Sequence, residues 1–267
     1  MLRWNNFLCK FGQKKRGVEY GGSYILNRLG LPATEQVIIK STADYAKGYG
    51  AVNPKYFNVN LGGDHSIAAC TVQPLLNKYG KNVLLLWIDA HADLNTYTAS
   101  RSKNRHGMPV AALMGLMPHW YAAPKHLHLP AENLIYYGLR DTDPFERDYI
   151  ALSGIRVFPT FEPGLLAAIS EHPAKYIYIS CDIDSMDPSV MPSTGTPVAQ
   201  GLSLNNVLNV VRFSQKAKQL VGFDLVEFNP LIGSKKEVKR TLHGIQKILT
   251  LLPQQDARRK YLSYSHD

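Results

Sequence analysis

The sequence predicts a three-layer α/β/α sandwich built on a mostly parallel sheet, and three observations predict it. Short runs of Val, Ile, Leu, Tyr and Phe recur without the polar alternation of a half-exposed strand, as suits strands covered on both faces. Stretches with apolar residues three and four apart, flanked by Gly or Pro, lie between these runs and suit covering helices. Polar residues able to do chemistry collect just after the runs, where ligands bind at the carboxyl ends of strands in open α/β sheets.

In chain order, the stretch up to Glu19 is basic and free of acidic residues. It lacks the Ser richness and long apolar core of a targeting segment, so it belongs to the folded part. FNVNLG (57–62) predicts a strand that leads into GGDHS, and SIAACTVQPLLNKYG (66–80) predicts a helix. NVLLLWI (82–88) is the most apolar strand candidate and ends in DAHADLN; MPVAALMGLM (108–117) has helical spacing. NLIYYGL (133–139) and IRVFP (155–159) predict strands, and PGLLAAISEH (163–172) a helix that opens on Pro163. KYIYIS (175–180) runs into CDIDSMDP, SLNNVLNVVRFSQK (203–216) is helical, and QLVGFDL (219–225) ends in VEFNP. With no internal repeat, low-complexity tract or linker, residues 1–267 are expected to form one domain.

Composition excludes several function classes. No stretch approaches the roughly 18 uninterrupted apolar residues of a membrane span, so a soluble protein with no membrane partner is expected. Cys9, Cys70 and Cys181 are scattered and form neither a disulfide framework nor a CxxC knuckle, which suits a reducing, cytoplasmic setting. The net charge of +9 is spread over separate clusters: Lys14-Lys15-Arg16, Lys235-Lys236 with Lys239-Arg240, and Arg258-Arg259-Lys260. No nucleic-acid-binding motif accompanies them, so they read as solvated faces and nucleic acid is not an expected partner.

The polar residues after the strands have a pattern of their own. Asp89, His91 and Asp93 follow one run at i, i+2 and i+4, Asp182 and Asp184 follow another, and His65 and Glu227 follow two more. Extended backbone would bring alternate side chains to one face. A single Asp at a strand end is ordinarily a cap or turn former. D-H, D-x-H-x-D and D-x-D motifs, each behind an apolar run, are not expected from independent caps. Four carboxylates in one volume repel each other and take up protons unless cations neutralise them. Carboxylate and imidazole ligands without thiolate favour a hard to borderline divalent ion such as manganese over structural zinc. Gly62-Gly63, by contrast, reads only as a tight turn.

Taken together, GGDHS, DAHADLN, CDIDSMDP, GTPVAQGLS and FDLVEFNP resemble the signatures of the ureohydrolases, the binuclear manganese enzymes that include arginase, agmatinase and formimidoylglutamase, and most resemble arginase. The resemblance runs from GQKKRGVEYG (12–21) to about Pro230. It implies the arginase-type fold and two Mn2+ ions, one held by His65, Asp89, Asp93 and Asp182, the other by His91, Asp89, Asp182 and Asp184, with Asp89 and Asp182 bridging. It also implies a metal-bridging hydroxide that attacks a guanidinium carbon. His106 in NRHGMP would shuttle the proton to the leaving amine, and Glu227 would pair with the guanidinium, with Thr196 beside that glutamate. His106, Asp93 and Glu227 form the expected catalytic set.

The loop LNTYTASRSKNR between Asp93 and His106 places Asn95, Ser102 and Asn104 at positions that in arginases contact the substrate α-carboxylate. GLRDTDPFER (138–147) would put Asp143 and Glu146 near the α-amino group. The expected small-molecule partner is therefore L-arginine, cleaved to L-ornithine and urea; agmatine or another guanidino acid is the alternative. Lys103 and Arg105 stand where relatives usually carry Gly and an aliphatic residue, and with Arg101 they add either positive potential near an anionic substrate or an exposed basic loop. The segment between Tyr24 and Asn60 and the helix around PGLLAAISEH are shorter than usual, and the tail after Leu252 is unlike the long tail of some arginases. A homo-oligomer, trimer or hexamer, is what the resemblance implies. Two other classes remain in view. A deacetylase of this fold would use one zinc, and a non-catalytic protein stabilised by metal would need neither His106 nor Glu227.

Overall fold

The computed structural model describes residues 1–117, 120 and 127–253. The basic cluster at 258–260 and all but the first residue of the tail after Leu252 lie outside them. Strands β1 (Leu2–Cys9), β2 (Glu35–Ile39), β3 (Phe57–Leu61), β4 (Val83–Ile88), β5 (Leu134–Tyr137), β6 (Arg156–Phe158), β7 (Tyr176–Asp182) and β8 (Gln219–Val226) form one sheet in the order β2-β1-β3-β8-β7-β4-β5-β6. Every pairing is parallel.

Helices cover both faces, and β4 shows why its sequence carries no polar alternation. Leu84, Leu86 and Ile88 point into one core with α1 (Gly21–Leu29), α7 (Pro163–Ser170), α8 (Leu204–Ala217) and α9 (Lys235–Leu249). Val83, Leu85 and Trp87 point into the other, with α2 (Tyr45–Ala51), α3 (Ala68–Thr71), α4 (Gln73–Tyr79) and α5 (Pro109–Leu113). Helix α6 (Pro144–Ser153) packs Tyr149 and Ile150 against this second core. Alternate residues of one strand thus feed two cores, as a three-layer sandwich requires. Among the described residues, no helix is long and apolar enough to cross a membrane.

The structure departs from the expected elements where polar residues sit inside strands or where breakers cut helices. Strand β1 is interrupted in sequence by Asn5 and Asn6, yet Asn5 is buried because its amide donates to Asn58 Oδ1 at 3.2 Å and Asn60 Oδ1 at 2.8 Å. β2 is an edge strand with exposed Glu35 and Gln36, so it lacks an apolar run. The stretch 66–80 is not one helix: a 3₁₀ turn at His65–Ile67 leads into α3 and α4, and α4 carries Pro74 in its first turn. Helix α5 stops at Leu113, just before Gly115 at φ 82°. Helix α9, which its charge concealed, starts with a Ser234/Glu237 capping box and buries Val238, Thr241, Ile245 and Ile248 along one side.

Candidate metal centre

β3, β8, β7 and β4 are consecutive across the sheet, and they are the four strands followed by the polar motifs. Their register aligns Leu61 with Leu225, Leu225 with Cys181, and Cys181 with Ile88. The four loops therefore start level, on one edge, which is why residues far apart in sequence meet.

Each loop uses its own chemistry to aim its side chains. After β3, Gly63 passes so close to β1 that a Cβ would lie 1.7 Å from the Cys9 carbonyl oxygen, so its role is close approach rather than an unusual turn. Asp64 caps the His65 turn: its carboxylate accepts the Ser66 N–H at 3.1 Å and the Gly12 N–H at 2.8 Å. After β4, Asp93 has φ 50°, so it joins Asp89 and His91 through a left-handed kink and not through strand alternation as expected. After β7, Asp184 sits in a 3₁₀ turn with its N–H on Asp182 Oδ1 at 2.8 Å, again not on extended backbone. After β8, Glu227 has φ 66°. Non-glycine residues in this region cost about 1–3 kcal/mol each and persist where function over-determines them.

Two groups of donors result, and Asp89 belongs to both. His65, Asp89 and Asp182 form the first, and Asp89, His91 and Asp184 the second, each with donor atoms within 4.8 Å of one another. The Oδ2 of Asp89 lies 2.9 Å from His65 Nδ1, while its Oδ1 lies 3.5 Å from His91 Nδ1. Asp93 Oδ2 at 3.1 Å and Asp182 Oδ2 at 3.5 Å complete the surroundings of His65 Nδ1, and Asp184 Oδ2 lies 3.2 Å from His91 Nδ1. Among the described residues Asp89 is the one that belongs to both groups; its Oδ1 also accepts the His91 N–H at 2.8 Å, as the Oδ1 of Asp182 accepts that of Asp184 at 2.8 Å.

The donor set fits divalent cations. His65 is fully buried and its Nε2 is 2.9 Å from Ser180 Oγ, which itself donates to Asp224 Oδ2 at 3.2 Å. With the Ser180 proton directed at Asp224, Nε2 is the nitrogen that donates to Ser180, and Nδ1 faces three carboxylates, which outweigh burial and raise the ring's affinity for a second proton well above the ordinary value. Nδ1 makes no hydrogen bond despite that company. A lone pair facing anions needs a proton or a cation. Four ionised aspartates would be balanced by two divalent ions.

The proton balance points the same way. Burial raises Asp182 and Asp184 above the usual carboxylate range, aided by their acidic neighbours, and burial with the Asp89 charge pushes Asp93 up to about 6. Burial opposes a charged His91, yet the carboxylates of Asp184 and Asp89 outweigh it and push the imidazole up to about 12. The cluster thus draws in positive charge, and ions would have to displace these protons.

His106 and Glu227 meet beside the cluster. His106 Nδ1 is 3.3 Å from Glu227 Oε1, and although burial works against it, this partner holds the imidazole at about 9. The same glutamate accepts the His65 N–H at 2.9 Å and the Gln13 amide at 2.7 Å. The Thr196 hydroxyl donates to Asp184 Oδ2 at 2.9 Å. A cavity of about 250 Å³ opens over the centre, with His91, Asp93, His106, Asp182, Asp184 and Thr196 at its floor and sides.

Its outer wall is the polar set expected to meet a substrate: Asn95, Ser102 and Asn104 from one loop, Asp143 and Glu146 from another. Several of these also serve the fold. Asn95 donates to Asp143, while Glu146 accepts the N–H groups of Leu94 at 2.9 Å and Asp143 at 2.8 Å as half of a capping box. Burial pushes Glu146 up to about 7.

Sequence reasoning missed the supporting residues. Trp87 stacks on the His65 ring with centroids 4.0 Å apart and donates to Asp89 Oδ2 at 3.0 Å. Trp87 and Ser180 each stand two residues before a strand-end Asp, on the same face, and that spacing was a usable signal. Arg140 left no such trace. Its guanidinium donates to five backbone carbonyls, of Gly138, Asp184, Ser185, Val198 and Ala199, and so ties the loop after β5 to the loop after β7.

Comparison with known proteins identifies relatives of the chain. The family model described as the arginase family matches residues 13–250. An arginase of Eremothecium gossypii is 40% identical over 185 residues, covering 64% of this chain and 46% of its own length. An arginase of Saccharomyces cerevisiae is 35% identical over 241 residues, covering 84% of this chain and 72% of its own length. The chain thus spans about half of the first of these relatives and under three quarters of the second. The crystal structure of Entamoeba histolytica arginase in complex with L-ornithine is similar with a TM-score of 0.78 at 28% identity, covering 93% of this chain and 98% of that one.

Proposed function

The chain belongs to the arginase family, and from that membership we propose that it hydrolyses the guanidinium group of L-arginine to give L-ornithine and urea. The observation that carries this reading is the division of Asp89, one oxygen toward His65 and the other toward His91, which is what a carboxylate shared by two ions needs. We propose Mn2+ for both ions, since the donors are carboxylates and imidazoles without thiolate. His65 and Asp93 would hold one and His91 and Asp184 the other, with Asp89 and Asp182 common to both. Bound there, a pair of divalent ions would supply a water that ionises near neutral pH and would stabilise negative charge in the transition state.

The chain's own residues do the rest. Glu227, kept ionised against the cost of burial by His106, offers a carboxylate to the guanidinium and orients it. His106, protonated at neutral pH, can give the proton that lets the amine leave. Asp93 lines the cavity, 3.1 Å from His65, and would help hold the ion on that side. The Asn104 side chain has no hydrogen-bond partner among the described residues, and with Ser102 it suits a substrate α-carboxylate; Asp143 suits the α-amino group. Burial of all three cysteines without a partner supports a reducing, cytoplasmic setting.

Arginine should be strongly preferred to agmatine, which lacks the carboxylate this wall would bind. Sites built to bind a polar group reject analogues without it by up to about 10⁴- to 10⁵-fold. The ratio of kcat/KM for the two substrates, measured through urea release, tests this. Equal efficiency would contradict recognition of the α-carboxylate by this wall and favour an agmatinase or another guanidino-acid hydrolase.

A further inference from the structure

Five adjacent strands place one side chain each in a row across the sheet. Asn5 of β1 pairs with Asn60 of β3, Asn60 with Asp224 of β8, Asp224 with Ser180 of β7, and Ser180 with Trp87 of β4. Asp224 stands in the middle of this row, fully buried and outside the cavity over the metal centre. Neutral donors take both of its oxygens. Oδ1 accepts the Asn60 amide at 2.8 Å and the Tyr178 hydroxyl; Oδ2 accepts the hydroxyls of Thr71 at 2.8 Å and Ser180 at 3.2 Å. Gly222 clears the space for this arrangement, since a Cβ there would lie 2.4 Å from Tyr178 Cε2.

Among the described residues no lysine or arginine pairs with Asp224, and a buried carboxylate without a cation is costly. Burial lifts it above the usual carboxylate range, and besides its donors the positive charge that works against this is at His65. The link to His65 is Ser180, whose Oγ lies 2.9 Å from His65 Nε2. A hydroxyl can give or receive a hydrogen bond, whereas an ionised carboxylate only receives. Asp224 therefore sets the direction of the chain of bonds. Ser180 gives its proton to Asp224 and keeps a lone pair for the His65 Nε2–H, so Nδ1 is the nitrogen turned toward Asp89, Asp93 and Asp182. An amide at position 224 could instead donate to Ser180, and Ser180 would then be free to donate to Nε2 and shift the imidazole proton to Nδ1.

We propose that Asp224 is a positioning residue for the His65 side of the metal centre: acting through Ser180, it fixes which nitrogen of His65 carries the proton and so raises the affinity of that side for a divalent ion. The inference rests on the reading of the centre as a divalent-ion site and adds to it a residue that touches no ion. The rest of the row serves the same end, for Asn60 and Tyr178 hold the far oxygen of Asp224 and Trp87 stacks on the His65 ring.

Manganese affinity, measured by titrating metal-free protein with Mn2+ against a competing chelator, tests this without reference to urea release. Asp224→Asn should weaken the uptake of one ion by about 10- to 100-fold, the usual cost of losing a partner behind a metal-binding histidine. A double-mutant cycle with Ser180→Ala separates a role through Ser180 from a general disturbance of the core. Once Ser180→Ala has cut the chain of bonds, Asp224→Asn should cost almost no further affinity. Asp224→Ala gives the same cycle with no amide in the space, so the test does not hang on the folding of one variant. Tyr178→Phe, which strips a donor from the far oxygen and leaves the link to Ser180 in place, should bind manganese nearly as the wild type does. Undiminished affinity in Asp224→Asn, a loss that persists in full on top of Ser180→Ala, or an equal loss in Tyr178→Phe would each overturn the proposal while leaving the metal centre standing. No manganese uptake by the wild type would overturn the reading of the centre and the proposal with it.

Discussion

Replacing Asp89 by Ala should empty both halves of the centre. Its two oxygens face His65 and His91 separately, and among the described residues it is the one that belongs to both donor groups. Losing the ions forfeits several kcal/mol of transition-state stabilisation, and at 1.36 kcal/mol per tenfold the rate of urea release should fall by at least about 10³-fold. Asp184→Ala, which strips a ligand from the His91 group alone, should retain close to one ion per chain. Metal content by atomic emission, read beside the rate, distinguishes them. Equal metal content in the two variants would mean that Asp89 is not the shared ligand.

His106→Asn should lower kcat by about 10²- to 10⁴-fold, the usual worth of a positioned general acid or base, with metal content retained. The pH dependence gives a second reading. The wild-type imidazole titrates at about 9, above its ordinary value, so the proton it gives to the leaving amine is present at neutral pH and lost as pH rises through about 9. An alkaline fall in kcat should therefore appear in the wild type and be absent from the variant. Both should lose activity as pH falls, because protons compete with the ions for the carboxylates and imidazoles. Stability follows the same group. A folded value above the unfolded one stabilises fully below about 6.5, and that contribution disappears as pH rises through the folded value. The denaturation midpoints of wild type and variant should differ most at neutral to mildly acidic pH and converge above pH 9 or so. A normal rate with metal retained would leave His106 as no more than a partner that keeps Glu227 ionised.

β4 was legible because it is apolar on both faces, a pattern that burial under two helical layers imposes, whereas β3 was found although Asn58 and Asn60 occupy one of its faces and β6 although it is a short edge strand. β1 and β2 were not, since Asn5 is buried by an amide ladder that no local pattern announces and β2 needs only one covered side. The candidate ligands were legible because this chemistry calls for Asp and His at strand ends. Their path to one another was less so: Asp93 and Asp184 converge through a left-handed residue and a 3₁₀ turn, where strand alternation would have sufficed on paper. Arg140 was out of reach, because its partners are backbone carbonyls brought together by the fold.

The central claim is that a pair of ions held around Asp89 makes this chain an arginine hydrolase. Its most direct test is to strip the wild type with chelator, verify the absence of metal, and titrate Mn2+ while following urea release from L-arginine and bound manganese per chain. Urea release should be absent at the start, rise with manganese uptake and level off at two ions per chain, with a matching rise in melting temperature. Full activity in the verified metal-free protein, or saturating uptake of manganese with no urea from arginine, would contradict it.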